Sequence, residues 1–139
     1  YNEHRKAPVA LGDATTADFD ELFKEVNLGP VFDYLQVDCE PARVTFDAML
    51  KVNLDKYKFA TITFEHDSYN DGPQVRDESR QYLEDRGYEL IVDDISVDDS
   101  HPFEDWWAHP ELVPAHTITA MKCVTGETKK AEDYMLGKV

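Results

Sequence analysis

The stretch 59-FATITFEHDSYND-71 decides the fold. Its first six residues are apolar, aromatic or β-branched, and they predict a strand that is buried on both faces of a sheet. Four polar or ionisable residues follow directly: Glu65, His66, Asp67 and Ser68. Ionisable groups beside a buried strand are costly unless they are paired or used. The end of this strand is therefore the first candidate for a functional site.

Length and composition predict one globular domain. The chain has 139 residues, of which 42% are hydrophobic, and a net charge of −15 from 29 acidic and 14 basic residues. This charge argues against nucleic acid and against an anionic membrane surface as partners. Cys39 and Cys123 form neither a disulfide framework nor a zinc pattern. With no secretory signal and no transmembrane run in this sequence, we expect a cytoplasmic protein with reduced thiols.

Periodicity and turn residues predict alternating helices and strands. Helices are expected at 13–26, 43–52 and 73–87, and strands at 31–37, 59–65 and 88–95. Such alternation predicts an α/β fold with a mostly parallel sheet. Residues 1–12 are expected to be a loose lead-in, 96–116 irregular, 117–124 a further strand, and the remaining tail polar with a terminal helix. Thr15 or Thr16 is the predicted cap of the first helix.

Acidic residues end two of the predicted strands. Asp38 and Glu40 follow strand 31–37, and Glu65 and Asp67 come at the end of strand 59–65. Ligands of open α/β sheets bind outside the carboxyl ends of the strands, so these groups converge if the strands are neighbours. With His66, they could bind a divalent cation or act as a general base. The structural alternative is that Asp38 caps the next helix and that Glu65 and Asp67 are turn residues.

A second unusual stretch is 101-HPFEDWWAHPEL-112. Trp106 and Trp107 could form a wall that stacks on a ligand such as a sugar, with His109 beside them. The alternative is that the two Trp side chains fill the end of the core and that His101 and His109 are surface or capping residues. No G-x-G-x-x-G, Walker or G-x-S-x-G motif occurs in the sequence.

Together these stretches resemble the C-terminal half of FkbM-like methyltransferases. The resemblance covers residues 13–113 and is carried by FDYLQVDCEP, KYKFATITFEHD, SRQYLEDRGYELIV and FEDWWAHPEL. It implies a partial Rossmann-like, class I methyltransferase fold that uses S-adenosylmethionine to methylate hydroxyl groups of sugars or natural products. The matching positions are Asp38, Glu40, Glu65, His66, Gly87 and Tyr88. Pro41 departs from the family pattern, which has Gly there.

The resemblance also implies roles for the candidate residues. Glu65 and His66 would be catalytic, and Asp38 and Glu40 would lie beside the methyl donor. Asp67 with His66 could hold a divalent cation. The substrate wall would be formed by the following three residues: Trp106, Trp107 and His109.

The family's first three strands, which hold the cofactor, are expected before residue 1. Of the family's strand order 3-2-1-4-5-7-6, this chain would carry the contiguous 4-5-7-6 half, as a single α/β domain over 1–139. Strand 31–37 would then be an exposed apolar edge, through which we expect homo-oligomers.

Two other functions remain open from the sequence. One is a non-enzymatic α/β domain that binds a cation, a small ligand or a protein partner. The other is a metal-dependent hydrolase, which would require Glu65, His66, Asp67 and His109 to reach one ion.

Overall fold

A computed structural model of the chain describes residues 17–98, 100–124 and 130–135. These residues form helices and strands around one sheet, which confirms the predicted α/β class. In chain order the elements are α1 (Phe19–Glu25), β1 (Val31–Val37), α2 (Ala42–Lys51), β2 (Lys58–Glu65), α3 (Ser68–Asp71), α4 (Gln74–Glu84), β3 (Glu89–Ser96), β4 (Pro102–Ala108), α5 (Ala115–Val124) and α6 (Ala131–Met135).

The sheet is mixed, and the prediction of a mostly parallel sheet is wrong. The strand order is β1-β2-β4-β3. Only β1 and β2 pair in parallel, whereas β4 runs antiparallel to both β2 and β3. The reason is the short connection after β3: residues 97–101 are too few for a crossover, so β4 folds back along β3. Because β2 and β3 still point the same way, the carboxyl ends of β1, β2 and β3 lie on one edge of the sheet.

Two segments differ from their predicted states. Residues 102–108, predicted to be irregular, form β4, although Glu and Asp have low strand propensity. Residues 117–124, predicted to be a strand, belong to α5, which begins directly after Pro114. Asp18 caps α1 by accepting a hydrogen bond from Glu21 N at 3.1 Å. The lead-in 1–12 and the proposed caps Thr15 and Thr16 lie outside the described residues.

One face of the sheet carries the larger core. Ile62 and Phe64 of β2 lie on this face, and both are fully buried. Helices α2 and α4 cover it with Phe46, Met49 and Leu83. Phe46 meets Phe64 edge to face, with ring centroids 6.3 Å apart. Packing of α2 and α4 against this face thus holds β2 in place, and the end of β2 carries the candidate site.

The opposite face is covered only in part. Helix α5 packs on β3 through Ile118, and Trp106 meets Tyr134 of α6. On the β1 side, Thr61 and Thr63 of β2 are only half-buried, and Tyr34 of β1 is 53% exposed. The prediction that β2 is buried on both faces is therefore wrong at the two threonines. Strand β1 is an edge of the sheet, as expected.

Within the described ranges, no helix has both the length and the apolar character needed to cross a membrane.

The buried hydroxyl of Tyr88 provides a test of the packing between β2 and the start of β3. It accepts a hydrogen bond from Phe59 N at 3.0 Å. Tyr88→Phe leaves this buried N–H without a partner, so we expect a loss of about 1–3 kcal/mol in the free energy of unfolding, measured with urea. Tyr34→Phe is the control, because its hydroxyl pairs with Thr63 at an exposed site. Equal losses for the two variants would contradict this packing.

The β1 edge is expected to mediate self-association. Val31 and Tyr34 are 55% and 53% exposed on this strand, which among the described residues pairs only with β2. Sizing chromatography over a concentration series should show a dimer, and Tyr34→Lys should shift the equilibrium towards monomer. Val44→Lys, which changes an exposed apolar residue of α2 instead, should leave the equilibrium unchanged. A wild-type monomer at the highest concentration would contradict the expectation.

Candidate functional site

The candidate site lies where β1 and β2 end and β4 begins. Val37 of β1 pairs with Phe64 of β2, so Asp38 and Glu65 leave the sheet side by side. On the other side of β2, Glu65 lies opposite Glu104 of β4. The backbone N–H groups of His66 and Asp67 both donate to Phe103 O, at 2.7 and 3.1 Å. This double contact fixes the turn that follows β2.

Three carboxylates form what we call the acidic cup: Glu40, Glu65 and Asp67. One oxygen atom of each lies within 4.8 Å of the others. Asp67 holds its backbone in the left-handed region, with φ +43, although it is not a glycine. Residues in that conformation are sparse and often mark functional positions. Asp38, at the end of β1, adds a fourth carboxylate beside the cup and hydrogen bonds to Glu65.

The cup lacks neutralising partners. Burial, the hydrogen bond with Asp38 and the nearby carboxylates raise the pKa of Glu65 to about 8. Burial and the charge of Glu40 also raise the pKa of Asp67. Within the described ranges, no Lys or Arg forms a salt bridge with any of these carboxylates. The arrangement therefore concentrates carboxyl groups at one edge of the sheet, where holding negative charge is unfavourable.

A cavity of about 440 Å³ opens beside the cup. Its lining combines two acids with aromatic and apolar side chains: Glu65, Asp67, Tyr69, Val97, His101 and Phe103. Tyr69 and His101 meet edge to face with ring centroids 5.3 Å apart. The charge of Asp67 raises the pKa of the Tyr69 phenol.

His66 points away from the cup into a second cluster. Its side chain is fully buried, and Nδ1 accepts a hydrogen bond from Ser68 N at 3.2 Å. In the neutral ring the proton is therefore on Nε2, which faces Asp105 Oδ1 at 3.5 Å and Asp94 Oδ1 at 3.7 Å. His66 and Asp67, predicted together as cation ligands, thus belong to different clusters.

This second cluster is neutralised by arginine. Arg80 donates two hydrogen bonds of 2.8 Å to the carboxylate of Asp105 and a third, of 3.0 Å, to Asp94 Oδ1. Asp105 Oδ1 further accepts the backbone N–H of Asp94 at 2.8 Å. Burial alone would raise the pKa of Asp105, but the two hydrogen bonds from Arg80 and the nearby imidazole of His66 overcome this effect and hold the pKa at about 2. We interpret this cluster as structural, since the guanidinium occupies the place of a cation.

The proposed substrate wall lies elsewhere. Trp106 and Trp107 pair with Thr63 and Ile62 in the middle of β2. Trp107 is 1% exposed, and Trp106 donates from Nε1 to Glu104 at 2.5 Å. His109 N bonds to Ala60 O, five residues and about 17 Å along β2 from Glu65. Neither the two Trp side chains nor His109 lines the acidic cavity.

The separation of the histidines argues against the hydrolase set. His109 is at the far end of β4, and His66 faces the arginine cluster, so the four proposed ligands do not meet at one point. Asp38 does not cap α2 either: Pro41 occupies the N-cap position without a side-chain bond, and Ala42 N donates to Asp71 at 3.2 Å.

Sequence reasoning missed Tyr69, His101 and Phe103 as cavity residues, and Arg80 and Asp105 as partners of His66. Tyr69 follows the acidic stretch within one turn of α3, which is a usable signal. Phe103 and Asp105 could have been placed only by recognising 102–108 as a strand beside β2.

Comparison of the chain with protein-family models, curated proteins and solved structures found no match.

The Arg80–Asp105 pair predicts a particular pH dependence of stability. Arg80→Met leaves a buried carboxylate unpaired, so the free energy of unfolding should fall by about 3–5 kcal/mol at pH 7. The pKa of Asp105 is lowered in the fold from 3.8 to about 2, so the pair stabilises above about pH 4 and loses this effect as the pH falls towards 2.

Urea unfolding at pH 7 and near pH 2 checks this. The difference in the free energy of unfolding between wild type and Arg80→Met should be smaller at the lower pH. Arg76→Met is the control, because Arg76 pairs with the partly exposed Asp94 and the exposed Asp77. An equal loss at both pH values for Arg80→Met would contradict the ion-pair interpretation.

Proposed function

We propose that this chain is the C-terminal half of an FkbM-like, S-adenosylmethionine-dependent O-methyltransferase domain. The supporting observation is the strand order β1-β2-β4-β3. Numbered as strands 4, 5, 6 and 7 of the family, these strands give the 4-5-7-6 order that the sequence resemblance implies. The acidic residues matched to the family, Asp38, Glu40 and Glu65, also lie together at the carboxyl edge of that sheet.

The acceptor of this proposal is a sugar or another small polyhydroxylated molecule. Carboxylates accept hydrogen bonds from hydroxyl groups, and aromatic rings stack on the apolar faces of sugar rings. The cavity beside the cup offers both kinds of contact, through Glu65 and Asp67 on one side and Tyr69, His101 and Phe103 on the other. In this proposal Glu65 orients the acceptor hydroxyl. His66 positions the turn after β2 by accepting a hydrogen bond from Ser68 N.

The methyl donor is not accommodated by the described residues alone. Of the described glycines, Gly29, Gly72 and Gly87, none forms a glycine-rich turn after a strand. Asp38 and Glu40 could line one side of a donor-binding site, but they do not by themselves form a binding site for S-adenosylmethionine. The proposal therefore requires the donor-binding strands from further polypeptide, and the present chain contributes the acceptor side. Cys39, a free thiol, is compatible with the cytoplasmic location that we propose.

A second candidate is a non-enzymatic α/β domain that binds a cation or a small ligand. The acidic cup favours it, because the cup is present without any donor cradle among the described residues. Methyl transfer to a hydroxylated ligand when a donor-binding half is added favours the methyltransferase half, whereas ligand binding without any methyl transfer favours this second candidate.

Acceptor binding can be tested on the chain itself. Saturation-transfer NMR with a panel of monosaccharides and methyl glycosides, recorded in EDTA, should show transfer to at least one compound. Tyr69→Ala and Glu65→Gln should reduce the transfer at least about fivefold, because they remove a ring contact and a hydrogen-bond acceptor. S-adenosylhomocysteine should show no transfer in the same experiment.

Trp106→Phe is the matched control and should leave the sugar signal unchanged, since Trp106 lies in the middle of the sheet. Absence of transfer for the whole panel, or loss with Trp106→Phe but not with Tyr69→Ala, would contradict the proposed acceptor site.

A further inference from the structure

We propose that the acidic cup binds one divalent cation of the hard, oxygen-preferring kind, such as Mg²⁺, Mn²⁺ or Ca²⁺. The ligands are carboxylate oxygens of Glu40, Glu65 and Asp67. This inference rests on the cup alone and stands whether or not the chain is part of a methyltransferase.

One buried carboxylate of the cup and one oxygen atom of a half-buried carboxylate lack partners. Asp67 is only 5% exposed, and its side chain forms no hydrogen bond and no salt bridge with the described residues. Glu65 Oε2 is inaccessible and has no hydrogen-bond partner there either. Buried acceptors are normally satisfied, so the unpartnered side chain of buried Asp67 beside the unpartnered Oε2 of Glu65, on the wall of one cavity, indicates a ligand. The ligand must be positive or a donor, because carboxylate oxygens only accept.

The spacing of the oxygens suits a single ion. Two oxygens that each lie about 2.0–2.6 Å from one cation can be at most about 5 Å apart. One oxygen from each of Glu40, Glu65 and Asp67 satisfies this limit, with separations within 4.8 Å. All three ligands are carboxylates, which favours Mg²⁺, Mn²⁺ or Ca²⁺ over metals that prefer nitrogen or sulfur.

The neighbouring cluster shows what the cup lacks. His66, Asp94 and Asp105 also lie within 4.8 Å of one another, but Arg80 and Arg76 already contact their carboxylates. A cation there would meet two guanidinium groups. Among the described residues, the charges that act on the pKa of Glu65 come from further acids and not from Lys or Arg: Asp38, Glu40 and Asp67.

The alternative is that shared protons, rather than a metal, neutralise the cup. Calorimetric titration of the EDTA-treated, dialysed chain with MgCl₂, MnCl₂ and CaCl₂ separates the two. We expect one ion per chain for at least one metal, with a Kd of about 1 mM or tighter. About 10 mM of that metal should raise the Tm by about 3 °C or more.

Asp67→Asn is the decisive variant, since Asn tolerates the left-handed backbone of this position. This variant should bind the metal at least tenfold more weakly. In EDTA it should have a higher Tm than the wild type, because it relieves repulsion between the carboxylates. Asp47→Asn, an exposed acid of α2, should change neither value. Glu65→Gln provides a second variant with the same expectation, in case Asp67→Asn does not fold.

The absence of heat and of a Tm shift for all three metals would overturn the proposal, as would equal metal binding by wild type, Asp67→Asn and Glu65→Gln. Sugar binding is measured in EDTA, so failure of the cation site and failure of the acceptor site are distinguishable.

Discussion

The buried ion pair between Arg80 and Asp105 is the contact on which the candidate site depends. Arg80 comes from α4 and Asp105 from β4, and Asp94 of β3 joins them through both its backbone and its side chain. The pair therefore ties one helix and two strands together beside the end of β2. A buried carboxylate is costly unless its acceptor positions are filled, and here three N–H donors fill them.

This pairing allows the acidic cup to remain unneutralised. Residues 65–67 leave β2 in alternating directions, so Glu65 and Asp67 reach the cup, while His66 points into the arginine cluster. The turn is held by two backbone bonds to Phe103 and by the His66 side chain, which accepts a hydrogen bond from Ser68 N. The arginine cluster thus stabilises the fold, whereas the acidic cup presents carboxylates that are not paired with Arg or Lys among the described residues. Such a division is typical of functional sites, where local rules are broken at a cost that the rest of the fold offsets.

The sequence predicted the elements whose patterns are local. Helical periodicity placed α2 and α4, and dense β-formers placed β1, β2 and β3 to within one or two residues. It also predicted that the residues after β1 and β2 converge if the two strands are neighbours, and the parallel pairing of β1 with β2 places Asp38 beside Glu65. Residues 102–108 were missed because two acids weaken the strand pattern. Asp105 is explained by a tertiary contact with Arg80, whereas Glu104 accepts a hydrogen bond from the indole of Trp106, two residues along the same strand.

Local sequence patterns also did not predict which cluster the His66 side chain joins. Its position beside Glu65 and Asp67 suggested a shared metal, but strand alternation sends neighbouring side chains to opposite sides. Likewise, the adjacent Trp106 and Trp107 suggested a ligand wall, whereas β4 places them in the sheet interior, about two residues from its acidic edge. The candidate ligand set changed accordingly, from His66 with Asp67 to Glu40, Glu65 and Asp67.

The most direct test of the account is an anomalous-difference map from a crystal of the chain soaked in MnCl₂. We predict one manganese peak within coordination distance of Glu40, Glu65 and Asp67, and no peak beside His66, Asp94 and Asp105. A peak in the arginine cluster, or the absence of a peak in the cup with the three carboxylates well ordered, would contradict the division between a structural and a ligand-binding cluster.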